Sequence, residues 1–190
     1  DKKGRRDLTN EVIFTIDGLD YKADATLYAA YLPKSYNYLY NCGKGSGTAP
    51  EGGTISYDEA LTFADNTCIA PNGYVFDKWA VSNSDDLLSP DEEITWTYTE
   101  NKTFTASYAP ISYTVTYHSN FEPYTTSVET FVYDETYHVK QYTQRTGWNF
   151  MGYATTPDGA VVYINGRLMS NLTDIDGANI DLYAVWEPVT

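Results

Sequence analysis

The sequence is short of positive charge. Twelve lysines and arginines stand against 26 aspartates and glutamates, a net charge of −14 over 190 residues. A surface of that sign repels phosphate backbones and anionic headgroups, so nucleic acid and membrane surfaces are poor partners. No apolar stretch approaches the ~20 residues that a membrane-spanning helix needs. No segment reads as a signal peptide either, which places any such signal upstream or already removed. Histidine is confined to His118 and His138, and cysteine to Cys42 and Cys68. A Gly-x-Ser-x-Gly elbow and a Cys–His pairing are both missing, so neither histidine has an evident nucleophile to activate. Both adjoin predicted strands and read as ordinary strand-end residues. The expectation is a protein that is not an enzyme and uses no cofactor.

What the sequence has is repetition. Thr26-Leu-Tyr-Ala-Ala-Tyr-Leu-Pro33 recurs as Thr103-Phe-Thr-Ala-Ser-Tyr-Ala-Pro110 and again as Asp181-Leu-Tyr-Ala-Val-Trp-Glu-Pro188. Tyr36–Tyr40 answers to Tyr113–Tyr117, and Tyr57-Asp-Glu59 to Tyr133-Asp-Glu135. Gly73-Tyr-Val-Phe-Asp-Lys-Trp-Ala80 answers to Gly147-Trp-Asn-Phe-Met-Gly-Tyr-Ala154. The copies divide the chain into a back half of a unit over 1–33 and complete units over 34–110 and 111–190. Copies of one small unit make a spacer or a binding surface, because catalysis needs an asymmetric constellation that repetition does not supply. The front half-unit has two readings. It is the start of a cut within a longer tandem array, or it is a strand donated to another chain in a filament.

Local patterning within each unit is β. Tyr113–Tyr117, Thr130–Tyr133 and Ile180–Trp186 are rich in β-branched and aromatic residues, and Thr95–Thr99 and Thr103–Tyr108 alternate cleanly. Turn dipeptides bound the runs: Pro71-Asn-Gly73, Pro157-Asp-Gly159, Asn165-Gly166 and Asp176-Gly177. Convincing helical periodicity is absent. Ser56–Asp65 and Asp134–Tyr142 are the best short candidates, and each reads equally well as strand plus loop. Only two residues lie between Pro110 and Tyr113, so the junction between units is short and stiff and the array is a semi-rigid rod. The fold class is therefore mainly β, α+β at most.

Cys42 and Cys68 fall in one unit, and the next has Ser119 and Tyr142 at the matching places. Joint presence and joint loss are what a bonded pair shows, and a disulfide implies an oxidising compartment. Two free buried thiols are the other reading. Zinc is disfavoured by the lack of neighbouring ligands.

Taken in order, Tyr-Thr-Val-Thr-Tyr117, Tyr-Asp-Glu135, Arg145-Thr-Gly-Trp-Asn-Phe-Met-Gly-Tyr-Ala154 and Ile180-Asp-Leu-Tyr-Ala-Val-Trp-Glu-Pro188 resemble the Listeria–Bacteroides repeat, or internalin B-repeat. The resemblance spans both complete units and the half-unit. It departs where Trp79 is Tyr153 in the last copy, and where Tyr31 and Tyr108 stand in the place of Trp186. The family implies a β-grasp-like unit whose first and last strands lie side by side, partly wrapped over a short helix or loop. It also implies large bacterial surface or secreted proteins with such units in tandem as stalks or adhesive segments, and no enzymatic activity.

Nineteen tyrosines are most simply half-buried strand residues with wet hydroxyls, and recurrence places Tyr36, Tyr57, Tyr74, Tyr113, Tyr133 and Tyr153 in the core or at its margin. Trp96 and Trp148 recur less clearly and are the candidates for stacking on a ligand. The partner would be a protein or a cell-surface glycan, or neighbouring repeats. Asp174-Ile-Asp-Gly177 with Asn179 and Asp181, echoed by Asp17-Gly18 and Asp20, offers clustered oxygens for calcium. The EF-hand pattern is not met, since Tyr183 stands where its glutamate would, and turn chemistry accounts for the Asp-Gly pairs.

Overall fold

The structure, a computed structural model, describes residues 30–142 and 145–190. Most of the front half-unit, with Asp17, Gly18 and Asp20, lies outside the described residues. In chain order the strands are β1 (Ser35–Asn41), β2 (Gly53–Ser56), β3 (Ala60–Thr62), β4 (Tyr74–Val81), β5 (Leu87–Leu88), β6 (Glu93–Thr95) and β7 (Lys102–Pro110). They continue as β8 (Ser112–His118), β9 (Thr126–Val132), β10 (Tyr137–His138), β11 (Trp148–Ala154), β12 (Tyr163–Ile164), β13 (Leu168–Met169) and β14 (Asn179–Pro188). The protein is mainly β, and no helix occurs among the described residues.

Two five-stranded sheets have the same order when read from corresponding edges. One runs β2-β1-β7-β4-β5 and the other β9-β8-β14-β11-β12. Each is accompanied by a two-stranded ribbon, β3-β6 and β10-β13. In both sheets the parallel pair is central. Tyr38 to Asn41 of β1 lie opposite Lys102 to Thr105 of β7, and Thr114 to His118 of β8 lie opposite Asn179 to Tyr183 of β14. Left-handed backbone positions also recur: Gly43 with Asn120 (φ 57° and 56°), Asp58 with Asp134 (both 64°), and Gly73 with Gly147 (77° and 78°). The fold gathers into two compact units, 30–69 with Lys78–Ser107, and Ala70–Asp77 with Tyr108–Thr190.

Alternation sets the cores. Lys102, Phe104 and Ala106 of β7 are buried while Thr103 and Thr105 are half-buried on the other face, as the Thr-Phe-Thr-Ala-Ser pattern requires. In the first unit Phe104 packs edge-on to Phe63 at 4.7 Å, and Tyr40 to Trp79 at 4.8 Å. Trp79 also donates from Nε1 to the Ala64 carbonyl at 3.0 Å. In the second unit Tyr113, Val115 and Tyr117 of β8 meet Phe131, Tyr153, Leu182 and Ala184. Burying such side chains contributes roughly 1.5–3 kcal/mol each. Gly152 marks a bulge in β11, where a Cβ would collide with the Tyr163 carbonyl oxygen.

Ser56–Asp65 and Asp134–Tyr142, each of which reads as a short helix or as strand plus loop, are strand plus loop, with no helix among the described residues. Asp58 and Asp134 enter the left-handed region, which ends any helix at its first turn, and the Glu59 carboxylate accepts from the Ser56 amide at 2.9 Å. The structure differs from the sequence reading at the strand predicted over Thr95–Thr99. Pairing ends at Thr95, because β6 is a three-residue partner of β3.

Candidate functional site

Cys42 and Cys68 are disulfide-bonded. Beside the bond, Ser46 within the closed loop and Ile69 just after it exchange reciprocal backbone hydrogen bonds, at 2.9 Å each. In the second unit hydrogen bonds stand where the sulfurs would. The Ser119 hydroxyl accepts from the Thr125 amide at 3.0 Å and donates to the Phe121 carbonyl at 3.2 Å, and Tyr142 bonds the Thr125 side chain.

The two candidate stacking tryptophans fare differently, and they fall in separate units. Trp96 is 0% exposed, packed against Tyr36 at 6.3 Å, Tyr98 at 5.2 Å and Phe104 at 6.4 Å. It offers no face to a ligand, because the cleanly alternating run puts it on the inner side. Trp148, 37% exposed, opens β11, and the Arg145 guanidinium lies 4.0 Å from its ring centroid. One face of that ring is thus already taken by a cation. The six recurrent tyrosines are buried or half-buried: Tyr113 and Tyr153 fully, Tyr36, Tyr57, Tyr74 and Tyr133 in part.

The second unit holds two adjoining clefts at the end of β8, where His118 lies beside Tyr183 of β14. One, of about 380 Å³, lies between the His118/Tyr183 pair, the loop at Tyr124 and the turn at Pro157-Asp158. The other, of about 260 Å³, shares Asn120, Pro157 and Asp158 and reaches Arg145 and Trp186. Parallel pairing creates the first cleft's aromatic wall. His118 and Tyr183 are register partners, and their rings stack at 4.4 Å with 12° between planes. The His118 Nε2 lies 2.7 Å from Asp181 Oδ1, which fixes the imidazole. A polar ladder leads up to it: Thr114 and Thr116 hydroxyls donate to Asn179 Oδ1 at 3.0 and 2.7 Å, and Asn179 donates to Asp181 Oδ2 at 3.2 Å.

Asn120 forms the floor. Its amide nitrogen donates to the carbonyls of Pro157 at 2.7 Å and Ala184 at 3.0 Å. Tyr124 stands at the rim and is 71% exposed. Trp186 donates to the Ser119 carbonyl at 2.9 Å and meets Phe121 edge-on at 5.1 Å, which pins the loop between β8 and β9. No hydroxyl or thiol is hydrogen-bonded to the His118 ring among the described residues, although it has an orienting carboxylate. His138 is exposed on β10, opposite Leu168.

Two of the carboxylates considered for calcium, Asp176 and Asp181, are otherwise engaged. Asp176 accepts from the Ser112 amide at 3.2 Å, and Asn179 and Asp181 belong to the ladder. No group of three or more histidine, cysteine or carboxylate ligands that could hold a metal occurs among the described residues.

No family model matches this sequence, and no curated protein is significantly similar to it.

The sequence reading missed the cleft. It treated His118 as a lone strand-end residue, yet laying the first strand of the unit beside the last, in parallel, sets His118 near Tyr183 and Asp181 at a separation of over sixty residues. The pairing of first and last strands was the signal that could have found it.

Proposed function

We propose that this chain is a non-enzymatic segment of a bacterial surface or secreted protein, a stalk or adhesive stretch built from tandem modules of the Listeria–Bacteroides (internalin B-repeat) type. The observation that carries this reading is the shared plan of the two sheets. Repeated sequence blocks occupy equivalent strands, the first and last strands of each sheet pair in parallel, and the same left-handed turns recur. A unit of this plan is a helix-less variant on the β-grasp theme. The Cys42–Cys68 disulfide is consistent with an extracellular location, and no described helix is long and apolar enough to cross a membrane. The two residues between Pro110 and Tyr113 in the sequence make a short junction, which suits tandem modules better than a long flexible linker would.

Surface exposure is testable on intact cells of the source organism. Brief protease treatment should release peptides of this chain while a cytoplasmic marker stays protected. Release only after lysis would refute the reading.

A further inference from the structure

We propose that the paired clefts of the second unit form a binding site for a neutral oligosaccharide. The chemistry of the walls selects the ligand class. A sugar ring has an apolar C–H face and a rim of hydroxyls, so it suits an aromatic platform flanked by carboxylate and amide groups. The first cleft has that combination: the co-stacked rings of His118 and Tyr183, exposed Tyr124, and the Asp158 carboxylate. Asp158 and Asp181 with the chain's net charge of −14 oppose acidic sugars and phosphates, and the one cation of the lining, Arg145 in the second cleft, is stacked on the Trp148 ring at 4.0 Å. Thr125, Thr126 and Asn120 make the lining too polar for a purely apolar ligand. The second cleft shares Asn120, Pro157 and Asp158 with the first and continues towards Trp186, so the two volumes form one groove longer than a single sugar unit.

A second observation comes from the copy in the same chain. The residues at the places of His118 and Tyr183 are Asn41 and Thr105, which are register partners in the first sheet. Asn120 corresponds to Gly43, where an added Cβ would stand 2.7 Å from the Ala106 carbonyl oxygen, so the loop backbone there lies close against β7. In the second unit the matching loop carries a side chain and is tied to Ala184 through it. One strand plan is therefore built without the aromatic pair or the amide, and the fold does not require them. A half-buried, carboxylate-braced aromatic pair that lines a cleft and that the fold does not need is accounted for by recognition. The inference goes beyond the stalk reading and rests on the cleft alone, so failure of one leaves the other standing.

The test is a titration of the full, isotope-labelled chain with chitotetraose, cellotetraose, maltotetraose and mannotetraose, followed by amide resonances. At least one sugar should shift His118, Thr125, Asp158 and Tyr183 at millimolar concentration or below. The double variant His118→Asn/Tyr183→Thr imports the first unit's own residues. It should bind at least tenfold more weakly while its unfolding midpoint changes little, and Tyr124→Ala should weaken binding without touching the sheet. No shift with any of the four sugars would overturn the proposal. Undiminished binding by the double variant, or shifts at these amides only with a sulfated oligosaccharide, would overturn it too.

Discussion

Removal of the disulfide perturbs the first unit by an amount that follows from its place in the chain. Cys42 and Cys68 are 26 residues apart. On the loop-entropy relation a cross-link of that span disfavours the unfolded chain by about 3.5 kcal/mol, with observed values commonly 2–4. Against a total stability of roughly 5–15 kcal/mol for a domain, that loss is large without being fatal. The structure supports survival of the fold, since the second unit forms the same sheet with Ser119 at the position of Cys42. The variant to make is Cys42→Ser/Cys68→Ala. Urea unfolding should show a loss of about 3 kcal/mol, and hydrogen exchange should accelerate first at the amides of Ser46 and Ile69, which bond each other beside the disulfide. Amides paired between β8 and β14 should keep their protection at the same urea concentration. A loss below about 1 kcal/mol, or two thiols labelled in the unreduced native protein, would refute the reasoning.

Other perturbations have definite signs. Trp186→Ala removes a ring packed on Phe121, Phe150 and Tyr142 and its bond to the Ser119 carbonyl, and should cost about 3 kcal/mol in denaturant unfolding. A cost below about 1 kcal/mol would show that the loop is held by something else. Tyr153→Phe should be neutral or stabilising, because the buried hydroxyl has no hydrogen-bond partner among the described residues and deleting it relieves an unsatisfied group. A loss above about 1 kcal/mol would contradict that. Burial, with a further contribution from its bond to Asp86, raises Tyr98 to about 12 from 10.0. The folded state then holds this proton more tightly than the unfolded chain does, so the contribution is complete below pH 10 and is lost as pH rises towards 12. Tyr117 and Tyr153 are also raised by burial, in the same direction. Denaturant midpoints should fall above pH 10, with a late-titrating tyrosine fraction in near-ultraviolet absorbance. Complete titration of all tyrosines in the native protein around their ordinary value would refute this.

Much of the fold was legible because β-branched and aromatic residues alternate where one sheet face is buried. Thr103–Tyr108 and Tyr113–Tyr117 are β7 and β8 almost residue for residue. Joint loss of two cysteines identified a bond that the structure contains. Alternation does not say which face is inner, and Trp96 went to the core where a surface role was considered. Segments held by tertiary pairing left no local signature. The two- and three-residue strands β3, β5, β10 and β12 are too short to carry a period, and β3 and β10 occupy the stretches that read ambiguously as helix. The cleft was illegible for a related reason. Its wall is made by strands from opposite ends of a unit, and the loop at Tyr124 and the turn at Asp158 complete it only after the sheet has formed.

The central claim, a presenting segment made of like modules that works as part of one chain, is tested most directly by the solution mass across a wide concentration range. Light scattering should give a steady value near 21.4 kDa. Growth into dimers and long polymers, abolished in a variant lacking residues 1–31, would contradict it and make the chain a filament subunit assembled by strand donation.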